Sequence, residues 1–358
     1  MSSFVQSQES HSGIWKACPA TPVRVATVTA LVEGVDHVCC RYRVEPFGWA
    51  LAERGFQLEI VPIAENTAAR LSQFFRARRS HVVLLQRKLL PVWQLTVLRK
   101  CAARLVYDFD DALFQRDSYS PKGPDSRARL GRFWATVQAA DAIIAGNDYL
   151  AERAASYVDA ARVSVVPTCV EPGLYQSARH ERTGAAARLA WIGQRSTLPS
   201  LKRFEPQLKA ASNMLDGLKL RLIADETMRL DGVDVVFRRW AEATEAKELA
   251  AADIGISVLP DDSWSLGKCG LKVLQYMAAG LPVVGNPVGM NRRMIEHGRT
   301  GFLASTPNEW AKAIRKLAND PGLRRIMGGE GRRFVEREYS VGRWKNRFAE
   351  ILSNLAGS

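Results

Sequence analysis

Lys268 and Lys272 stand four residues apart around Gly270, where an apolar helical pattern of Val273, Leu274, Met277 and Ala278 begins. A helix N-terminus offers unpaired backbone N–H groups and the positive end of a dipole, so added ammonium groups suit it to an anion such as a phosphate. The spacing predicts both ammonium groups on one side of the first helical turn. Gly280-Leu281-Pro282 ends the helix, and a short buried strand (Val283, Val284) and a glycine-punctuated turn follow. A second group, Asp108, Asp110 and Asp111, ends the run VYDFDD. Carboxylates at the carboxyl end of a buried strand face the crevice where open α/β sheets bind ligands. They are costly there unless hydroxyls or cations meet them. Aspartate is also favoured in turns and as a helix cap.

These groups need a scaffold, and the first half supplies alternating strand and helix signals. VRVATV (Val23 to Val28) precedes a helix over Val44 to Arg54 that Gly55 ends. LEIVPI, a basic helix over Thr67 to Arg78, HVVLLQ, a helix through Leu95 to Ala103 and RLVYDF follow. DAIIAG, a helix over Tyr149 to Tyr157 and RVSVVP complete that half. Composition shifts over Glu171 to Ala187, which is polar and without period, and RLAWIG opens a second alternation. It continues through LKLRLIAD, VDVVFRRW, an alanine-rich helix near Glu245 to Ala252, DIGISVL and LPVVG. The expected fold class is α/β, with two doubly wound Rossmann-like domains of parallel strands covered by helices and facing each other across a cleft. The expected division is a flexible leader at 1–20, a first domain at 21–172, a linker at 173–186, a second domain at 187–339 and a final helix at 340–358.

With 358 residues, 47% hydrophobic and 24% charged, the chain is long enough for two cored domains and has no apolar run able to span a bilayer. The first twenty residues lack a basic start and an apolar core, so they do not read as a secretory signal. Six scattered cysteines and five histidines show neither metal-ligand spacing nor a disulfide framework, which points to a reducing, cytoplasmic setting. The net charge of +13 favours anionic partners. Between Asn66 and Tyr107 there is no acidic residue, while Arg70, Arg76, Arg78, Arg79, Arg87, Lys88, Arg99, Lys100 and Arg104 fall there. No zinc finger, RNA-recognition motif or aromatic-interleaved basic groove accompanies this charge, so nucleic acid is not the expected partner. With Leu71, Phe74, Phe75 and the run Leu89-Leu90-Pro91-Val92-Trp93, the stretch 70–104 suits an anionic membrane surface.

The ordered set SLGKCGLKVLQYMAAGLPVVGNPVGMN, RRMIEHGRTGFLA, EW and DPGLRRIMGGEGRRFVEREYS resembles the C-terminal half of family 4 glycosyltransferases, retaining nucleotide-sugar enzymes of the GT-B fold. LAWIGQRSTLPSL extends the resemblance upstream, and CRYRVEPFGWALAERG and VYDFDDALF carry it into the first half. The resemblance implies transfer of a sugar from a nucleoside diphosphate to a hydroxyl of a glycan, glycolipid or polysaccharide precursor, with retained configuration. No protein nucleophile is implied; the leaving phosphate takes the acceptor's proton on the same face. Lys268, Lys272 and the amides of Gly270 and Leu271 would stabilise the leaving diphosphate. Gly193, Arg195 and Lys202 occupy the region where family members add phosphate ligands. Most members carry two glutamates eight residues apart, and those positions here are Gly267 and Gln275. A glutamine at the second still offers a donor and an acceptor to the ribose hydroxyls that the family glutamate holds.

Asp110 and Asp111 are the remaining catalytic candidates, and Arg41, Arg43, Asp108 and Asn147 the acceptor or cleft candidates, with Thr168 and Glu171 beside them. Arg41 and Arg43 belong to a loop expected to be flexible, EGVDHVCCRYR, which in the resemblance faces donor and acceptor. Asp108-Phe109-Asp110 also fits the Asp-x-Asp pattern with which GT-A glycosyltransferases hold a divalent metal. The stronger phosphate signal lies in the second half, so no essential metal or other cofactor is expected. Loss of both family glutamates leaves open a catalytically silent, nucleotide-binding member.

Overall fold

A computed structural model describes residues 26–215 and 217–357. The leader expected at 1–20 and the first residues of the strand expected from Val23 lie outside the described residues. Two six-stranded parallel sheets form the scaffold. The first contains β1 (Ala26–Val32), β2 (Phe56–Pro62), β3 (Val82–Gln86), β4 (Leu105–Phe109), β5 (Ala142–Ala145) and β6 (Val163–Val165), in the order β2-β1-β3-β4-β5-β6. The second contains β7 (Arg188–Ile192), β8 (Lys219–Ala224), β9 (Asp234–Arg239), β10 (Ile254–Ser257), β11 (Val283–Gly285) and β12 (Gly301–Leu303), in the order β12-β11-β10-β7-β8-β9.

Every residue of β3 and β4 is buried, as expected of strands covered on both faces. On one face, Phe74, Leu95 and Phe133, from the helices Thr67–Arg76, Val92–Cys101 and Arg127–Ala139, pack with Leu85 and Tyr107. On the other, Phe47 and the final helix Val341–Ala356 close the core, with the Phe47 and Phe348 rings stacked at 4.5 Å. The last helix therefore completes the first sheet although the second sheet precedes it. Trp191 and Trp310 are fully buried in the core of the second sheet.

In each sheet the strand order reverses once, between β1 and β3 and between β7 and β10. A crevice at the carboxyl ends of the strands opens at such points. The segments after β1, β3, β4, β7 and β10 all contribute to one cavity between the two sheets.

Three local expectations are corrected. The helix expected over Val44 to Arg54 is instead a helix at Val38–Arg43, a 3₁₀ turn at Glu45–Phe47 and a helix at Gly48–Ala52. Pro46 lacks the N–H that an unbroken helix needs, and Val44 sits off helical geometry at φ −123°, ψ −60°. The segment expected to be a flexible loop is thus helical in part, capped by His37, whose Nδ1 accepts from Cys39 N at 3.2 Å. The two lysines do not share a helical turn. Gly270 takes the left-handed conformation at φ +71°, so the helix starts at Leu271 and Lys268 stays in the preceding loop.

Candidate functional site

The cavity has a volume of about 340 Å³ and is lined from both domains, by Arg41, Tyr42, Arg87, Asp110 and Asp111 on one side and Gly193, Trp240, Glu245, Lys268, Lys272 and Gln275 on the other. Lys272, on the first turn of the helix Leu271–Ala278, is half-buried and holds its Nζ 4.6 Å from the centre of the Trp191 ring. Among the described residues it has no carboxylate partner. Burial, reinforced by the like charge of Lys268, pushes its ammonium down to about 7. Gly270 and Leu271 line the same wall, and the first amides of that helix have no intrahelical acceptor. Gly270 also lies against Met294, whose Sδ would be 2.6 Å from an added Cβ.

Lys268 follows another path. Its Nζ lies 2.7 Å from Asp111 Oδ2 and 3.6 Å from the centre of the Trp264 ring. This ion pair joins the two domains across the cleft. Tyr119 meets Trp264 edge-on at 6.4 Å, and Arg203 covers Tyr119 at 4.8 Å, so the loop after β4 also reaches the second domain.

Asp110 is bound by Arg87, whose Nη1 lies 2.5 Å from Asp110 Oδ1 and whose Nη2 lies 3.4 Å from Asp111 Oδ2. Burial alone would raise the Asp110 carboxyl, but Arg87 and Arg43 outweigh it and hold it down at about 2. Asp110 therefore stays ionised and is a weak base at neutral pH. Arg87 adopts φ +57°, a conformation that costs free energy in a non-glycine residue, and its paired guanidinium holds it there.

The structure removes several candidates from the cavity wall. Arg43 and Asp108 form a buried pair inside the first domain, with three N–H···O contacts from 2.5 to 3.2 Å and exposures of 2% and 0%. Asp108 lies within β4, and its side chain points into the sheet's own packing rather than the crevice. Asn147 is a joint, its Oδ1 capping the next helix at Leu150 N and its Nδ2 donating to the carbonyls of Leu266 and Lys268 at 3.2 Å. It thereby orients the lysine loop from the first domain. Arg195 extends to solvent and pairs with Glu226 at 3.1 Å; Lys202 pairs with Glu205 on the surface. Glu171 caps a short 3₁₀ turn, whereas Thr168 does line the cavity. Gly193 lies in the wall, and an added Cβ would be 2.3 Å from the Trp191 ring.

Gly267 packs against the first domain so closely that a Cβ would lie 2.7 Å from both the nitrogen and the Cβ of Ala112. A glutamate cannot stand there without shifting that contact. Gln275 lines the cavity and donates from Nε2 to Glu245 Oε1 at 2.9 Å and to Tyr42 Oη at 3.1 Å.

Sequence reasoning missed Arg87, Glu245, Trp191 and Trp264. Arg87 sat in a basic stretch read as surface, Glu245 in an alanine-rich helix, and Trp191 inside an apolar strand. Only their positions just after strands, or facing them, could have drawn attention.

Residues 180–320 match a family model described as Glycosyl transferases group 1. A D-inositol 3-phosphate glycosyltransferase of Nocardioides sp. is 26% identical over 258 residues, which is 62% of this chain and 54% of that protein. A trehalose synthase of Pyrococcus horikoshii is 32% identical over 88 residues, 25% of this chain and 21% of that protein. The chain spans about half or less of the length of these relatives. Among solved structures, sucrose-phosphate synthase from Thermosynechococcus elongatus superposes with a TM-score of 0.70 at 16% identity, covering 93% of this chain and 100% of that one. Anabaena HepE in complex with UDP and glucose superposes with a TM-score of 0.67 at 15% identity, covering 92% and 99%. These likenesses, with the two parallel sheets facing a shared cavity, identify the fold as GT-B.

Proposed function

We propose that the chain is a retaining glycosyltransferase that holds a nucleoside-diphosphate sugar in the interdomain cavity and passes the sugar to a hydroxyl acceptor. The observation that carries this reading is Lys272, a cation without a carboxylate partner among the described residues, on the first turn of a helix whose opening residues, Gly270 and Leu271, line the same cavity. Arg41, Arg87 and Lys268 in that cavity are all paired with acids. A diphosphate supplies the charge that Lys272 lacks. As the glycosidic bond breaks, negative charge grows on the leaving phosphate, and the ammonium and amides stabilise it. The phosphate oxygen then accepts the acceptor's proton, while Asp110, held ionised by Arg87 and Arg43, stabilises positive charge developing on the sugar, with Asp111 beside it. No side-chain nucleophile is needed. Asp108 and Asp110 are each committed to an arginine, which favours the metal-free reading over Asp-x-Asp metal binding. The Glycosyl transferases group 1 match over residues 180–320 supports sugar transfer as the reaction.

A thermal-shift and donor-hydrolysis panel with UDP-, GDP-, ADP- and dTDP-sugars, with and without divalent metal, tests it. The expected result is stabilisation and slow hydrolysis with one nucleotide class in the absence of metal. Stabilisation without any turnover would instead favour the silent reading, which Gly267 and Gln275 keep in view. Strict dependence on a divalent metal would overturn the metal-free mechanism.

The acceptor side extends to a proposed cytoplasmic membrane surface. Among the described residues no helix is long and apolar enough to cross a membrane. Phe74 and Leu90, expected at such a surface, are core residues, but Phe75, Val92 and Trp93 are each 53% exposed. Arg76, Arg78, Arg79 and Lys100 have no carboxylate partner among the described residues and lie on the same two helices or on the 3₁₀ turn Ala77–Arg79 that ends the first of them. Vesicles rich in anionic lipid are expected to sediment the protein at low salt, and Trp93→Ser with Arg78→Glu to reduce this at least about tenfold. Sedimentation unchanged in that variant would remove the surface from the reading.

A further inference from the structure

Residues 110–126 join β4 to the helix Arg127–Ala139 without a helix or strand of their own. Connections of that length inside a compact domain are uncommon and usually serve a site. The middle of this one is tied into a closed flap. Arg116 N donates to Pro124 O at 2.8 Å, and Arg116 Nη1 donates to the carbonyls of Lys122 at 3.2 Å, Gly123 at 3.3 Å and Asp125. Gly123 turns the chain at φ +69°, and Asp117 Oδ1 accepts from Tyr119 N at 2.9 Å. A loop whose ends meet and whose own groups hold its shape moves as a unit.

The flap belongs to the first domain but rests on the second. Tyr119, its one aromatic residue, meets Trp264 edge-on at 6.4 Å, lies under Arg203 at 4.8 Å and reaches Ser200 with its hydroxyl. Arg203 Nη2 donates to Ser118 O at 3.0 Å, and at the base of the flap Ser263 Oγ donates to Gln115 Oε1 at 3.1 Å. Tyr119, Ser200 and Trp264 all line the interdomain cavity, while Pro121 and Lys122 on the same flap are exposed. The flap therefore stands between cavity and solvent and brings one aromatic side chain to its seam. A seam with so little apolar contact opens at low cost.

We propose that Arg116–Pro124 is a lid closed by Tyr119, which lifts from Trp264 and Arg203 to admit substrate and, when shut, keeps water from the reacting sugar. This rests on the nucleotide-sugar reading above. In that reaction water competes with the acceptor: its oxygen bonds to the anomeric carbon as the bond to the leaving phosphate breaks, and its proton passes to that phosphate. A shut lid limits this loss. Tyr119 is thus a positioning residue that sets the choice between acceptor and water.

Trypsin reads the lid directly, because cutting of a transiently opened segment follows its open population and Lys122 is an exposed site on the flap. Cutting after Lys122 is followed in the wild type, Tyr119→Ala and Arg203→Ala, relative to cutting in the rest of the chain, so that a general loss of fold is discounted. The two variants break the seam from opposite sides, and each is expected to be cut about tenfold or more faster at Lys122. Whichever of UDP, GDP, ADP and dTDP binds by calorimetry is expected to slow the wild-type cut by about tenfold or more. Lys122 cut no faster in either variant, or no slower in the wild type with nucleotide bound, would overturn the lid. Release of nucleotide from UDP-glucose, GDP-mannose, ADP-glucose and dTDP-glucose without acceptor then measures the leak to water. Tyr119→Ala is expected to raise hydrolysis at saturating donor at least about threefold. An equal or lower rate overturns the water-excluding role. Binding without turnover removes that role too and leaves nucleotide protection at Lys122 to decide the lid. If the wild type binds none of the nucleotides, the nucleotide-sugar reading falls, and the ligand-free cuts still decide whether the flap opens at Tyr119.

Discussion

Lys272→Ala is expected to lower kcat/KM for donor turnover by about 10²-fold or more, the scale seen when one preorganised group facing developing charge is removed. Lys268 is a weaker substitute, since its ammonium is engaged by Asp111 at 2.7 Å and would have to leave that pair to reach a phosphate. Among the described residues Lys272 has no such competing partner, and its place over Trp191 keeps it partly dehydrated, where its charge acts more strongly. The same environment makes binding sensitive to pH. In the free protein Lys272 is held at about 7, and a bound diphosphate raises that value by opposing charge. Binding is therefore strongest below pH 7, where the ammonium is already formed. It weakens as pH rises through 7, where a proton must be taken up on binding. Lys272→Ala should flatten this dependence between pH 6 and 8, and Lys272→Arg should flatten it while keeping part of the affinity. Nucleotide titrations across that range check both, and a Lys272→Ala protein with wild-type turnover and pH profile would remove this lysine from the mechanism.

Arg43→Met is expected to destabilise the first domain by about 3–5 kcal/mol, the cost of leaving one member of a buried ion pair alone. Arg43 donates from Nε to both Asp108 oxygens, from Nη2 to Oδ1 and from Nη1 to the Val166 carbonyl, so four buried contacts depend on one side chain. Asp108 in turn has no route to solvent from the middle of the sheet. Removing both charges together, as Arg43→Met with Asp108→Leu, should cost clearly less than the sum of the single changes, because no uncompensated carboxylate remains. Urea unfolding of the three variants decides it. Additive losses would mean that the two groups do not act as a pair.

The alternation of apolar strands with amphipathic segments sufficed to place two parallel α/β halves, because buried parallel strands require continuous apolar runs such as Val82–Leu85 and Leu105–Tyr107. The helix start at Gly270 and Leu271 was likewise legible, since a helix terminus is a local property, whereas the placing of both lysines on its first turn was not. Pro46 was visible too, yet its break went unread because the apolar residues on either side kept helical spacing. The helix Arg127–Ala139, capped by Ser126, and the three-residue β12 carried weaker patterns that were not read as elements.

Residue type and order thus determined the fold class, the helix start at Leu271, and the absence of glutamates at 267 and 275. Which carboxylates meet which cations was decided by the tertiary structure. Asp108, Asp110 and Asp111 follow one another within four residues, yet one is buried with Arg43, one is held by Arg87 and one reaches Lys268 in the other domain. Side chains alternate along a strand and diverge once it ends, so neighbours in sequence enter different surroundings. Glu245 shows the converse. It is thirty residues from Gln275 in sequence and 2.9 Å from it in space, a pairing set by the packing of two helices against one sheet and by no local signal.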